Sequence, residues 1–130
     1  VLGVEVGQLF QESRLIGRKI HFTAGDAMEI RSPDFPQALI AGKRLLPLNM
    51  NIDAEPYLIE IPPGSKLQSH FFAHKGQEFG YLLSGELRLT VNSTDYTLKP
   101  GELIYLTSDT PGQWINSGPE TARILWVNIK

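Results

Sequence analysis

The fold of this chain is decided between Gly64 and Asn116. Residues 64–85 read G-S-K-L-Q-S-H-F-F-A-H-K-G-Q-E-F-G-Y-L-L-S-G, and residues 100–116 read P-G-E-L-I-Y-L-T-S-D-T-P-G-Q-W-I-N. Short runs of apolar residues alternate with turn-forming residues. Successive side chains of a strand point to opposite faces, so such runs belong to short strands with one buried face. Lys75-Gly76-Gln77, Ser84-Gly85 and Pro100-Gly101 mark the turns between them.

The same grammar continues outward. Tyr57–Ile61 reads as a strand stopped by Pro62-Pro63-Gly64. Leu87, Leu89 and Val91 share one face of the run 86–92, which closes in a turn at Asn92-Ser93. Tyr96 and Leu98 carry the pattern on, followed by Leu103–Leu106. Asn116–Pro119 then turns the chain into Ala122–Ile129. Ile20 and Phe22 alternate with polar neighbours as in a short entry strand, and two prolines in Ser32–Pro36 mark a loop. Many short strands with regular turns predict an all-β sandwich or jelly-roll barrel.

The spacing His74-x3-Glu78-x6-Gly85 resembles the first signature box of the cupin barrels, and T-P-G-Q-W-I-N at 110–116 resembles the second. The resemblance implies an all-β cupin fold, a double-stranded β-helix or jelly-roll barrel, with a short N-terminal helical remnant. Two positions depart from the family pattern. Phe72 stands where the first histidine of the H-x-H pair is expected. Gly112 stands where the third metal-binding histidine is expected, four residues before Asn116. Of the four family ligands, His74 and Glu78 remain.

An uninterrupted strand over residues 70–74 would put His70, Phe72 and His74 on one face. Glu78, just past the turn, would then converge with His74 at the barrel mouth. Imidazole and carboxylate suit zinc, iron, manganese or nickel. A firm site needs at least three donors, and His70 is the candidate third. Gln113 offers a neutral amide oxygen, and Phe72 makes the cavity more apolar. The cofactor is left open, with a divalent metal disfavoured. Simpler roles stand beside these: His70 as an exposed strand residue, and His74 bonded to Glu78 as a cap on the turn. Tyr81, Tyr105, Trp114 and Trp126 complete the candidate ligand-binding set, because aromatic walls with a few polar groups line small-molecule pockets. Barrel core or a dimer interface is the plain alternative for each. No phosphate-binding loop, dinucleotide motif, nucleophile elbow or cysteine nucleophile occurs, and no catalytic residue is assigned.

The chain opens V-L-G-V-E-V-G-Q-L-F. This is similar to the end of a lambda-repressor-like (XRE-family) helix-turn-helix domain, a family that often carries a cupin domain after its DNA-binding domain. The resemblance implies a division into residues 1–13, the end of the helix-turn-helix domain; 14–26, linker and entry strand; and 27–130, the cupin domain. An N-terminal arm packed on the barrel is the alternative.

Twelve Lys and Arg face 14 Asp and Glu, for a net charge of −2, and the basic residues are scattered. Such a distribution offers no nucleic-acid or membrane surface of its own. The chain has no cysteine, so disulfides are excluded, in keeping with an expected cytoplasmic location. No apolar run reaches membrane-spanning length. The resulting expectation is a non-enzymatic, effector-sensing cupin domain of a transcriptional regulator. It would bind a small-molecule effector in the barrel, form a homodimer, and reach DNA only through an N-terminal domain absent from this chain. The alternative is a small metal-dependent cupin enzyme, a dioxygenase or isomerase.

Overall fold

The structure, a computed structural model, describes residues 19–30, 40–70, 72 and 76–130. Among these residues ten strands follow one another: β1 (Met28–Ile30), β2 (Ala41–Arg44), β3 (Ala54–Ile61), β4 (Lys66–Leu67), β5 (Gln77–Ser84), β6 (Leu87–Val91), β7 (Thr94–Leu98), β8 (Leu103–Leu106), β9 (Gln113–Ile115) and β10 (Ala122–Ile129). They pair antiparallel in two sheets, one of order β1-β2-β3-β10-β5-β8 and one of order β4-β9-β6-β7. The all-β jelly-roll architecture expected from the turn pattern is the one that forms.

Alternation decides what lies between the sheets. Tyr57, Ile59 and Ile61 of β3, Leu82 of β5, Leu87, Leu89 and Val91 of β6, and Ile124 and Trp126 of β10 are all buried. Trp114 and Trp126 are 0% exposed, and they form the centre of the core. Asn92 and Ser93 both take positive φ, 51° and 65°, as a two-residue hairpin between β6 and β7 requires. Gly85 turns β5 into β6 at φ 80°, where a Cβ would lie 2.7 Å from the Thr121 carbonyl oxygen, so no other residue fits without strain. The buried Asn116 side chain ties the end of β9 to the end of β3. Its Nδ2 donates to the carbonyls of Ile61 and Glu120, both at 2.8 Å, and its Oδ1 accepts from Gly118 N–H at 3.0 Å.

The entry strand expected at Ile20 and Phe22 does not form, and Ile20 is 91% exposed. Thr23 N–H donates to the Asp26 carboxylate at 2.8 Å, and Asp26 N–H donates to Thr23 O at 3.0 Å. These local bonds close a single 3-10 turn at Ala24–Asp26 and divert the backbone from a ladder. The first strand among the described residues is instead β1, directly after that turn. The helical remnant expected in residues 1–13 and the loop at 32–36 lie outside the described residues.

Candidate functional site

β10 sits between β3 and β5, and its register builds the site. Trp126 lies opposite Tyr57 on one side and Gly80 on the other, while Asn128 lies opposite Glu55 and Glu78. Inward positions two residues apart therefore bring the Trp126 indole and the Asn128 amide against the inward carboxylate of Glu78. Gly80 makes the room: a Cβ there would lie 2.4 Å from Cε3 and Cζ3 of Trp126.

His70 enters from the irregular segment after β4. Its Nε2 lies 2.9 Å from Oε1 and 3.1 Å from Oε2 of Glu78. Trp126 Nε1–H donates to Glu78 Oε1 at 2.8 Å and to Asn128 Oδ1 at 3.2 Å. The side chains of His70 and Glu78 are 3% and 1% exposed. A carboxylate this deep persists only with its oxygens bonded, and here both are. The imidazole stacks on Trp114, with centroids 5.7 Å apart and planes 15° from parallel. Trp126 and Phe72 meet it edge-on at 5.5 and 5.7 Å, and Phe72 continues to Tyr57 at 4.6 Å. His70 Nδ1 is buried with no hydrogen-bond partner among the described residues.

A second polar cluster borders this one at Tyr57. Its hydroxyl donates to Glu55 Oε1 at 3.3 Å, and Arg44 Nη1 and Lys130 Nζ reach Glu55 Oε2 at 3.3 and 3.5 Å. Arg44, itself buried, also donates from Nε to Leu46 O at 2.8 Å. Burial pushes the Glu55 carboxyl up, but the hydrogen bond and charge of Arg44, with Lys130, hold it below the usual carboxylate range. Burial and the neighbouring Glu55 charge push the Tyr57 phenol up.

Of the residues singled out in the sequence, His70, Phe72, Glu78, Trp114 and Trp126 come together. His74 lies outside the described residues. The histidine that Glu78 meets among the described residues is His70, and His70 is buried rather than an exposed strand residue. The reason is local: residues 70 and 72 carry no strand, so two-residue alternation does not govern their direction. Tyr81 and Tyr105 do not line the interior. They stand on the outer face, 38% and 51% exposed, because Glu78, Gly80 and Leu82 hold the inward positions of β5 and Ile104 and Leu106 those of β8. Gln113 faces away from its neighbour Trp114 and bonds the Gln68 amide at 3.2 Å. Sequence reading missed Tyr57 and Asn128. Asn128 was accessible through its spacing, two residues from Trp126 on one strand.

The described residues do not fit a metal centre. No three His, Cys, Asp or Glu side chains among them converge, and the two donors that meet are bonded to each other. Gly112 faces open space and brings no ligand. Two clefts on the described surface, of about 250 and 390 Å³, are lined by the β5–β6 turn region and by Phe22–Pro56 neighbours respectively, away from His70.

Comparison with known proteins fits this architecture. Residues 57–128 match the family model described as Cupin domain. No curated protein matches the chain. Among solved structures, the cupin domain of an XRE family transcriptional regulator from Enterobacter cloacae is 21% identical, with 71% of this chain and 97% of that one covered at a TM-score of 0.62. A predicted oxalate decarboxylase from Thermotoga maritima is 22% identical over 85% of this chain and 98% of that one, at a TM-score of 0.67. A polyketide cyclase from Streptomyces resistomycificus is 20% identical over 86% and 78%, at a TM-score of 0.65. Likenesses at such identities report the fold and leave function open. The family model covers more than half of the chain and the two-sheet barrel agrees with it, so the chain belongs to the cupin family.

Proposed function

We propose that this chain is the effector-sensing domain of a DNA-binding transcriptional regulator. A small molecule bound in the barrel would alter operator binding by a helix-turn-helix domain N-terminal to it. The observation that carries this reading is the closed His70–Glu78–Trp126 array. It engages both oxygens of the carboxylate within the protein, where a metal enzyme would need donors free to bind an ion. The likeness to the cupin domain of the Enterobacter cloacae regulator supports the same reading, since nearly all of that domain is covered. The domain acts as a homodimer. Tyr81, Leu83, Leu103 and Tyr105 form an exposed apolar group on the outer face, and β8 is an edge strand among the described residues, features that pairing with a second copy would cover.

A second reading, a small metal-dependent cupin enzyme, draws on the inward His–Glu pair and on the likeness to a predicted oxalate decarboxylase and a polyketide cyclase. The parent gene separates the two. The regulator reading expects coding sequence for a helix-turn-helix domain upstream of Val1. A start codon directly before Val1 would defeat it.

A further inference from the structure

The larger sheet is apolar on the face turned away from the core as well as on the face turned toward it. Leu58, Leu125, Tyr81 and Leu103 form one outward row across β3, β10, β5 and β8. Pro56, Val127, Phe79 and Tyr105 form the next. Strands that are apolar on both faces belong to sheets covered on both faces. Exposure is greatest at β8, where Leu103 and Tyr105 stand out as a ridge, 53% and 51% exposed. At the opposite end, past β3, the face is concave. Leu45 N–H donates to the Pro56 carbonyl at 3.0 Å. A cleft of about 390 Å³ opens there, between Leu45, Leu46 and Pro56 on one side and Phe22, Ala24 and Ala27 around the 3-10 turn on the other.

Area and shape decide what covers this face. Strands lie ~4.8 Å apart and same-face neighbours ~7 Å apart along each, so two rows over four strands cover roughly 260 Å². A stable dimer buries about 800 Å² of each partner. The Glu60–Arg123 ion pair, at 3.0 Å, closes the rows on one side, so the apolar surface that extends them is the cleft. In the strand order, β5 and β8 lie on one side of β10, and β3 and β2 on the other. The ridge on β8 and the cleft beside β2 are therefore the same distance from β10.

Building on the homodimer of the reading above, we propose that the occupant is a second copy, packed face to face about a two-fold axis along β10, with Tyr105 of each copy inserted in the cleft of the other. Half a turn about that axis exchanges β8 with β2 and keeps each row in line. It sets Leu125 against Leu125, Tyr81 over Leu58 and Tyr105 over Leu45. The two insertions are equivalent, as an isologous interface requires. A two-fold axis across the strands would instead press ridge on ridge and leave both clefts unfilled, against the close fit that interfaces need. Lys43, in the row of Leu58, would lay its stem along the incoming Leu103 and keep its ammonium in water.

The experiment is disulfide trapping, which the absence of cysteine makes clean. Chains carrying Tyr105→Cys alone and Leu45→Cys alone are mixed and mildly oxidised. The expected result is a cross-linked dimer from the mixture and little from either variant by itself, since a bridge needs Cα atoms about 4.4–6.8 Å apart. Should either variant fold poorly, hydrogen exchange of the wild-type chain at high and low concentration reads the same contact. Amides of residues 22–24 and 45–46 should gain protection together with those of 103–105. Tyr105→Cys cross-linked to itself, or protection confined to 103–105, would overturn the ridge-in-cleft arrangement while leaving the homodimer. A dimer by sedimentation with neither cross-link nor protection at these places would also overturn it, by moving the interface off this face. A wild-type monomer would sink the homodimer reading itself.

Discussion

The indole nitrogen of Trp126 and the carboxylate of Glu78 lie 2.8 Å apart, although 48 residues separate them in the chain. The bond follows from the pairing of β10 with β5, which sets Trp126 opposite Gly80 and Asn128 opposite Glu78. His70 closes the array from outside either strand.

Removing the carboxylate takes from His70 Nε2 its partner and from Trp126 Nε1–H the shorter of its two bonds. Glu78→Ala should lower stability by about 3–5 kcal/mol, the range for breaking a buried pair, and Glu78→Gln by less, since the amide still accepts. Urea unfolding followed by tryptophan fluorescence reads this directly, because both tryptophans are fully buried. A Glu78→Ala protein within about 1 kcal/mol of wild type would mean that the array contributes little.

Gly80 and Gly112 make a matched test of packing. A Cβ at Gly80 collides with the Trp126 ring, whereas one at Gly112 meets nothing within 4 Å. Gly80→Ala should cost about 1–3 kcal/mol and shift Trp126 fluorescence. Gly112→Ala should stay within about 0.5 kcal/mol. Equal effects at both positions would contradict the described approach of β5 and β10.

Metal content follows from the donor set. The chain purified without added metal should hold well under one equivalent of transition metal by elemental analysis. One equivalent per chain, lost in a His74→Ala, Glu78→Ala double variant, would show that His70 or another residue completes a centre with them.

The exposed aromatic and aliphatic group on β5 and β8 predicts association. Sedimentation at tens of micromolar should give a dimer, and Leu103→Lys with Tyr105→Lys should shift it to monomer. A wild-type monomer under those conditions would refute the interface.

The barrel was legible because turns and alternation are local. Gly85, Asn92-Ser93 and Pro100-Gly101 punctuate strands whose inward positions, such as Leu87, Leu89 and Val91, the period of two picks out unaided. Site membership was legible only in part. His70, Glu78, Trp114 and Trp126 stood out as residue types, but the pairing of His70 with Glu78 depends on an irregular segment that no periodicity describes. Tyr81 and Tyr105 were drawn inward by their chemistry. Their neighbours Glu78 and Gly80 hold the inner positions, an unusual polar and empty pair that only the packing of Trp126 explains. Asn128 went unnoticed because its partner across the sheet depends on a register fixed by long-range pairing.

The central claim, a sensing barrel that acts on a separate DNA-binding domain, is tested most directly by gel shift at physiological salt. The comparison sets residues 1–130 against the full-length protein, on DNA from the region upstream of its own gene. Duplex binding requires several phosphates to be neutralised, and the scattered basic residues of this chain supply no such surface. The account predicts no specific shift for residues 1–130, and a specific shift for the full-length protein that changes when a barrel ligand is added, through a coupling of typically about 1–3 kcal/mol. Specific binding by residues 1–130 alone, or a full-length protein that binds no operator, would contradict it.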